Sequence, residues 1–164
     1  YSAGKITYSG SNIVVSSFGN SLDALPKIIY TGSLTGNQAT AIDFSSASAV
    51  SVSDLEFDLG SLAEGFGMAT VSNVLLLRTT IKNYNSAGGN THKVGSSWYD
   101  GAGDGVFVVN SILENSQSVN LFFIVTRIAL VNSILKNPVL NPTYDHHSIY
   151  GASYDRAIIA NTVF

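Results

Sequence analysis

The sequence predicts an all-β chain wound as a single parallel β-helix, and three observations predict it. A short apolar motif recurs along the chain, the apolar residues inside each copy alternate with a period of two, and an asparagine recurs at a fixed place in the motif. The plainest instance is a pair of neighbours. "NSILEN" (Asn110–Asn115) and "NSILKN" (Asn132–Asn137) share five of six residues at a separation of 22 positions.

The repeat is wider than that pair. Five windows align: "VSVSDLEF" (Val50–Phe57), "VLLLRTTI" (Val74–Ile81), "VFVVNSIL" (Val106–Leu113), "IALVNSIL" (Ile128–Leu135) and "AIIANTVF" (Ala157–Phe164). The shared rule is apolar, any, apolar, any, then Asn (or Asp54, or Arg78), then usually a small residue, any, apolar. The fifth positions are 54, 78, 110, 132 and 161, in steps of 24, 32, 22 and 29. Self-similarity on that scale is the signature of a solenoid.

The elements follow in order. The stretch before Ala41 forms an irregular first coil (residues 1–40): "KITYSGSNIVVSSFG" gives two strands, and "LPKIIYTG" gives a third after Pro26. From residue 41 to 164 the coils are regular. Period-two alternation of β-branched and aromatic residues is strand and not helix. The central Asn suits a tight bend, because it tolerates left-handed backbone. Each window is therefore two short strands about a corner. A third strand precedes each, at Ala41–Phe44, Phe66–Thr70, Ser96–Asp100, Asn120–Val125 and Ser148–Tyr150. Three strands per coil and about five to six coils, stacked at roughly 4.8 Å, place like residues on like. Asn110, Asn132 and Asn161 then form one buried amide ladder, and Asn83, Asn115 and Asn137 a second. A β-sandwich explains the alternation but not Asn at two fixed offsets. A leucine-rich repeat fails for want of a helical pattern between copies.

Composition bounds the function. The chain has 164 residues, enough for one domain with a core, and is 45% hydrophobic but only 12% charged. Eight scattered Lys and Arg against eleven Asp and Glu make no basic face, so nucleic acid is not an expected partner. The absence of cysteine excludes disulfides and thiolate metal sites. The longest purely apolar run, Leu121–Val125, is far too short to span a bilayer as a helix, and no membrane insertion is expected.

Uneven coil lengths point to a site. Insertions in a solenoid are loops, and loops carry function. The long steps hold "YNSAGGNTHKVGSS" (Tyr84–Ser97) and "PVLNPTYDHH" (Pro138–His147). Both leave after a third strand and return into a first strand, so they project from one corner as two walls. Their bases stand two coils, roughly 10 Å, apart. The coil carrying Asn120–Val125 is the floor between them. The first wall offers His92 and Lys93 as acid, base or charge, then Trp98, Tyr99 and Asp100. An exposed Trp or Tyr gives a sugar ring an apolar face and its hydroxyls a polar edge. Asp100 and Asp104 bracket "GAG", where a turn role competes with catalysis. The second wall offers Tyr144, Asp145, His146, His147 and Tyr150. Asp43, on an earlier first strand, shares the surface. The catalytic candidates are His92, Lys93, Asp100 and His147. The substrate-binding candidates are Asp43, Trp98, Tyr99, Tyr144, Asp145, His146 and Tyr150. Adjacent His146 and His147 alternate across a strand and make a poor metal pair, so neither metal nor cofactor is expected. Arg78 stands at a different corner, which it shields.

"HHSIYGASYDRAIIANTVF" (His146–Phe164) resembles the repeating signature of right-handed parallel β-helix proteins of the pectate-lyase-like superfamily, and "ITYSGSNIVVSSFGNSL" resembles their early coils. That superfamily includes secreted polysaccharide lyases, hydrolases and epimerases, and phage tailspikes. The resemblance implies a right-handed helix, an extracellular or virion-surface location, and a polysaccharide bound along the outer face. It carries over no catalytic motif. Asp145-His146-His147 lacks the proline and the acid of the epimerase Asp-Pro-His-Glu, and neither the polygalacturonase signatures nor a three-acid calcium cluster occurs. The resemblance also implies a capping helix, which is not readable here. The expectation is therefore a fragment of a longer chain, or a chain capped by a homotrimer or by end-to-end contacts with other subunits.

Two functions are expected from these features. The first is a polysaccharide-degrading protein, a lyase, glycoside hydrolase or tailspike depolymerase. The second is a non-catalytic β-helix fibre or adhesin that recognises surface glycan.

Overall fold

The computed structural model describes residues 6–17, 24–31, 40–60, 64–67, 72–83, 97–98, 103–115, 119–136, 147–152 and 155–164. Among them every element is a strand, and every strand pairing is parallel. The strands recur in threes. The first trio is β1 (Ile6–Gly10), β2 (Ile13–Ser16) and β3 (Lys27–Ile29). Then come β4 (Thr40–Ala47), β5 (Ala49–Ser53) and β6 (Glu56–Asp58), followed by β7 (Glu64–Gly67), β8 (Asn73–Leu77) and β9 (Thr80–Lys82). The next trio is β10 (Ser97–Trp98), β11 (Gly103–Val109) and β12 (Ile112–Glu114). The long β13 (Val119–Val131) and β14 (Ile134–Lys136) precede β15 (His147–Ala152) and β16 (Arg156–Ala160), and a last bridge joins Val163 to Ile134.

Members of a trio do not pair with one another; they pair with their counterparts in the next. One sheet runs β1-β4-β7, and β10 lies beside β7. A second runs β2-β5-β8-β11-β13-β16, and a third β3-β6-β9-β12-β14. β13 serves two sheets. Its first half, to Ile124, pairs with β10 and β15, and its second half, from Val125, pairs with β11 and β16. The two strands expected from each of the first four windows are present, the fifth window gives β16 and the Val163 bridge, and each has a left-handed residue between its halves. Asp54, Arg78, Asn110, Asn132 and Asn161 all have φ between 48° and 58°. Asn83 and Asn115, of the second expected ladder, also have positive φ, and Asn137 lies outside the described residues.

Alternation makes the core. Val52, Leu76, Val108 and Leu130 are successive register partners on the inner pleat, as are Phe57, Ile81, Leu113 and Leu135 in the third sheet; none is more than 1% exposed. Each such side chain removed from water is worth about 1.5–3 kcal/mol. On the first sheet Ile42 and Phe44 are buried, and Phe44 stacks on Tyr8 with ring centroids 5.1 Å apart.

The ladders differ from expectation in one respect. Asn161 donates its amide to Asn132 Oδ1 at 3.1 Å, and Asn115 donates to Asn83 Oδ1 at 3.1 Å. But Asn110, Asn132 and Asn161 are exposed, not buried. The buried polar column is the next position along: Thr79, Ser111 and Ser133, each 1% exposed. Ser111 Oγ accepts from Thr79 N–H at 3.1 Å, and Ser133 Oγ accepts from Ser111 N–H at 3.2 Å. The hydroxyls in turn donate to main-chain carbonyls such as Val52, Val109 and Val131. The left-handed bend turns the asparagine outward and the following residue inward. The small residue in the repeat is therefore the buried one, and a hydroxyl satisfies backbone that would otherwise be buried unpaired.

Candidate functional site

The strands that flank the first half of β13 bring parts of the two expected walls together. Ser97 and Trp98 pair with Leu121 and Phe122, and these pair with Ile149 and Tyr150. Trp98, Phe122 and Tyr150 thus occupy one row across three neighbouring strands. The adjacent row is Ser97, Leu121 and Ile149, and Ile149 packs against the core. Two strand spacings, roughly 10 Å, separate the backbones of Trp98 and Tyr150. His147 opens β15 opposite Val119, two residues before Ile149. Asp43 pairs with Thr7 and Gly67 in the first sheet. His92, Lys93, Tyr99, Asp100, Tyr144, Asp145 and His146 lie outside the described residues.

Most of the described charges serve the fold. Lys27 reaches Glu56 at 3.5 Å and Asp58 at 3.0 Å, Lys82 reaches Glu56 at 2.7 Å, and Lys136 reaches Glu114 at 3.0 Å. Asp58, Lys82, Glu114 and Lys136 are successive register partners of alternating sign. The hydrogen bond and charge of Lys82 hold the Glu56 carboxyl below the usual carboxylate range, with Lys27 adding to the effect. For Asp58, burial opposes ionisation most strongly, but the Asn83 amide, Lys27 and the Gly60 N–H together outweigh it and its pKa is lowered. Arg78 grips Asp54 through Nε at 2.5 Å and Nη2 at 2.9 Å, which depresses the Asp54 pKa. This fork–fork pair explains how an arginine is held at a left-handed bend. Among the described residues no group of three or more His, Asp or Glu is placed to hold a metal, and no helix is long and apolar enough to cross a membrane.

On the second sheet the outward pleat carries features the sequence reading passed over. Gly105 sits between Asn73 and Arg127 in one row. Arg127 crosses it: Nε donates to the Asp104 carbonyl at 3.3 Å and Nη2 to Asn73 Oδ1 at 3.5 Å. The Phe107 ring also lies over Gly105, where a Cβ would come within 2.7 Å of it. Phe107 walls a shallow apolar groove of ≈ 180 Å³ whose floor includes Ala49 and Ser51. The signal was present in the sequence. Arg127 and Arg156 each stand immediately before an aligned window, five residues ahead of Asn132 and Asn161.

Comparison of the chain with protein-family models, with curated proteins and with solved structures finds no match.

Proposed function

We propose that the chain is a right-handed parallel β-helix of five to six coils, three strands to a coil, that binds a polysaccharide across the outer face of its first sheet. The observation that supports this reading is the backbone row Trp98–Phe122–Tyr150 across three neighbouring strands. Aromatic side chains offer flat apolar faces and, in Trp and Tyr, a polar edge, the combination a sugar ring requires. Strands stacked at about 4.8 Å repeat that face along the helix axis, so an extended polymer can follow it. In this reading the two insertions would supply the walls, with Tyr99, Tyr144, Asp145 and His146 among their contacts, and Asp43 would add to the same surface. The resemblance to pectate-lyase-like proteins, and a location outside the cell or on a virion, belong to the same reading.

The activity we assign is polysaccharide degradation, with His92, Lys93, Asp100 and His147 as the acid, base and charge-bearing groups. A non-catalytic glycan-binding β-helix is the second reading. It is favoured by one observation: Asp54, Glu56, Asp58 and Glu114 are all engaged by cations of the fold. Incubation with a panel of capsular and plant polysaccharides separates the readings. New reducing ends without ultraviolet absorbance mean hydrolysis, absorbance of an unsaturated sugar means elimination, and binding without products means the second reading. Failure to bind any polysaccharide contradicts both.

A further inference from the structure

We propose that the outer face of the second sheet is a docking surface for a second copy of this chain, packed face to face with the strand orders of the two copies running in opposite directions. The inference goes beyond the glycan-binding reading and does not rest on it. Two outward rows cross this sheet. Val14, Ser51, Leu75, Phe107, Ala129 and Ile158 are successive register partners in one, and Ser16, Ser53, Leu77, Val109, Val131 and Ala160 in the other. None of them is buried, while Val52, Leu76, Val108 and Leu130 on the pleat between them are fully so. Val14 and Ile158, at the two ends of their row, are 69% and 61% exposed. Neither row holds a charged residue. The third sheet does the opposite and sets Lys27, Glu56, Asp58, Lys82, Glu114 and Lys136 on its outer side. A parallel sheet that is apolar on both faces is normally covered on both.

The shape of the face selects the occupant. Ser51 and Ala49 are small, and they form the floor of the ≈ 180 Å³ groove between Val14 on one side and Leu75 and Phe107 on the other. Ile158 stands out from the same row, four strands further along. Turning a second copy by half a revolution about a line along β11 reverses the row and keeps the strand direction. Ile158 then enters the groove at the partner's Ser51, and Leu75 meets the partner's Ala129. Phe107 and Val109 meet their own counterparts on the two-fold axis. In the second row Leu77 meets the partner's Val131, and Ser53 the partner's Ala160. Large faces small along the first row, and the contact closes on itself as an isologous dimer must. Sheets aligned in this way pack about 10 Å apart. Asp104, Arg127 and Arg156 border the two rows and give the apolar centre a polar rim. A lipid surface has no steps of its own and would leave the groove and the Ile158 knob without a counterpart.

The size of the face sets the strength. Six strands by five residues make about 29 by 17 Å, so a face-to-face pair shifted by one strand buries roughly 800–1,000 Å² in all. That is the low end for a specific interface and predicts a reversible dimer rather than an obligate one.

Sedimentation equilibrium of the intact chain over a wide concentration range tests this. The mass should rise from that of one 17.3 kDa chain towards twice that value as concentration increases. Leu75→Glu and Ala129→Glu lie on outward positions of strands inside the sheet, away from either end of the stack. Each should weaken the dimer at least about tenfold, because a carboxylate would be buried without a partner, while circular dichroism is retained. The chain has no cysteine, so single substitutions report the geometry. Val109→Cys, on the axis, should be joined to its counterpart by a short bis-maleimide, and Ile112→Cys, on the third sheet, should not. The cross-link also decides the question if a carboxylate variant loses its fold. A chain that stays monomeric at every concentration overturns the proposal. So does a dimer that survives both carboxylate variants, which would be joined end to end, or one that gives no cross-link at Val109→Cys. A monomer that instead binds phosphatidylcholine vesicles overturns it in favour of a lipid surface.

Discussion

Asn161 donates its side-chain amide to Asn132 at 3.1 Å, and both residues hold a left-handed backbone at φ 49°. The amide contact is solvent-exposed, so the backbone and not the hydrogen bond is the larger constraint. Asn132→Leu should therefore destabilise the fold by about 1–2 kcal/mol, the cost of a branched side chain in the left-handed region. Asn132→Gly should come close to the parent protein in the same urea titration. If Leu were tolerated as well as Gly, backbone conformation would not be what the asparagine supplies.

The buried hydroxyl column carries a different sensitivity. Ser111→Ala leaves the Thr79 N–H without its acceptor in a buried site and should cost about 1–3 kcal/mol. Equilibrium unfolding of Ser111→Ala beside Asn110→Ala measures which column the fold leans on through hydrogen bonding; loss confined to the asparagine variant would refute the assignment.

Much of this architecture was legible in the sequence, for a physical reason. A repeat forces equivalent residues into equivalent environments, so the five window positions 54, 78, 110, 132 and 161 announced the bends that the φ angles bear out. The strands of Ile6–Gly10, Ile13–Ser16 and Lys27–Ile29 were legible from alternation and from Pro26 even without a repeat. Which bend residue is buried was not legible. Period-two counting stops at a left-handed residue, and the inward side passes to Thr79, Ser111 and Ser133. For the site, the sequence left the strand phase at Trp98 open by one residue. The backbone pairs Trp98 with Phe122 and Phe122 with Tyr150, and the face these side chains take belongs to the proposal. The insertions carry no periodicity from which a conformation could be read, and the acid and base candidates on them remain proposals.

Gly105 offers a local test of the second sheet's outer face. A methyl group there would sit 2.7 Å from the Phe107 ring, so Gly105→Ala should destabilise by about 1–3 kcal/mol through forced movement of the ring. Phe107→Leu should relieve much of that cost. A double-mutant cycle in urea should return a coupling well above 0.5 kcal/mol; strict additivity would mean that the ring does not lie over the glycine.

Stability should fall in acid. Asp54, Glu56 and Asp58 have folded-state pKa values below the usual carboxylate range. Their contribution is complete above the unfolded value near pH 4 and is lost as pH drops through the lower folded values. The urea midpoint should thus be level from about pH 7 to 5 and decline below about pH 4. Solvent screening keeps the contribution of each pair small. The Glu56→Gln, Asp58→Asn double variant should show a shallower acid limb, and an unchanged limb would assign the acid sensitivity to other groups.

The aromatic row is the centre of the functional account, and calorimetric titration of the polysaccharide panel into the parent protein and the Trp98→Ala, Tyr150→Ala double variant tests it most directly. The account predicts that the parent binds at least one polymer and that the double variant does not, while far-ultraviolet circular dichroism and the melting transition are retained. Binding that survives the double change would place the site elsewhere, and collapse of the fold would show that the row belongs to the core and not to the outer face.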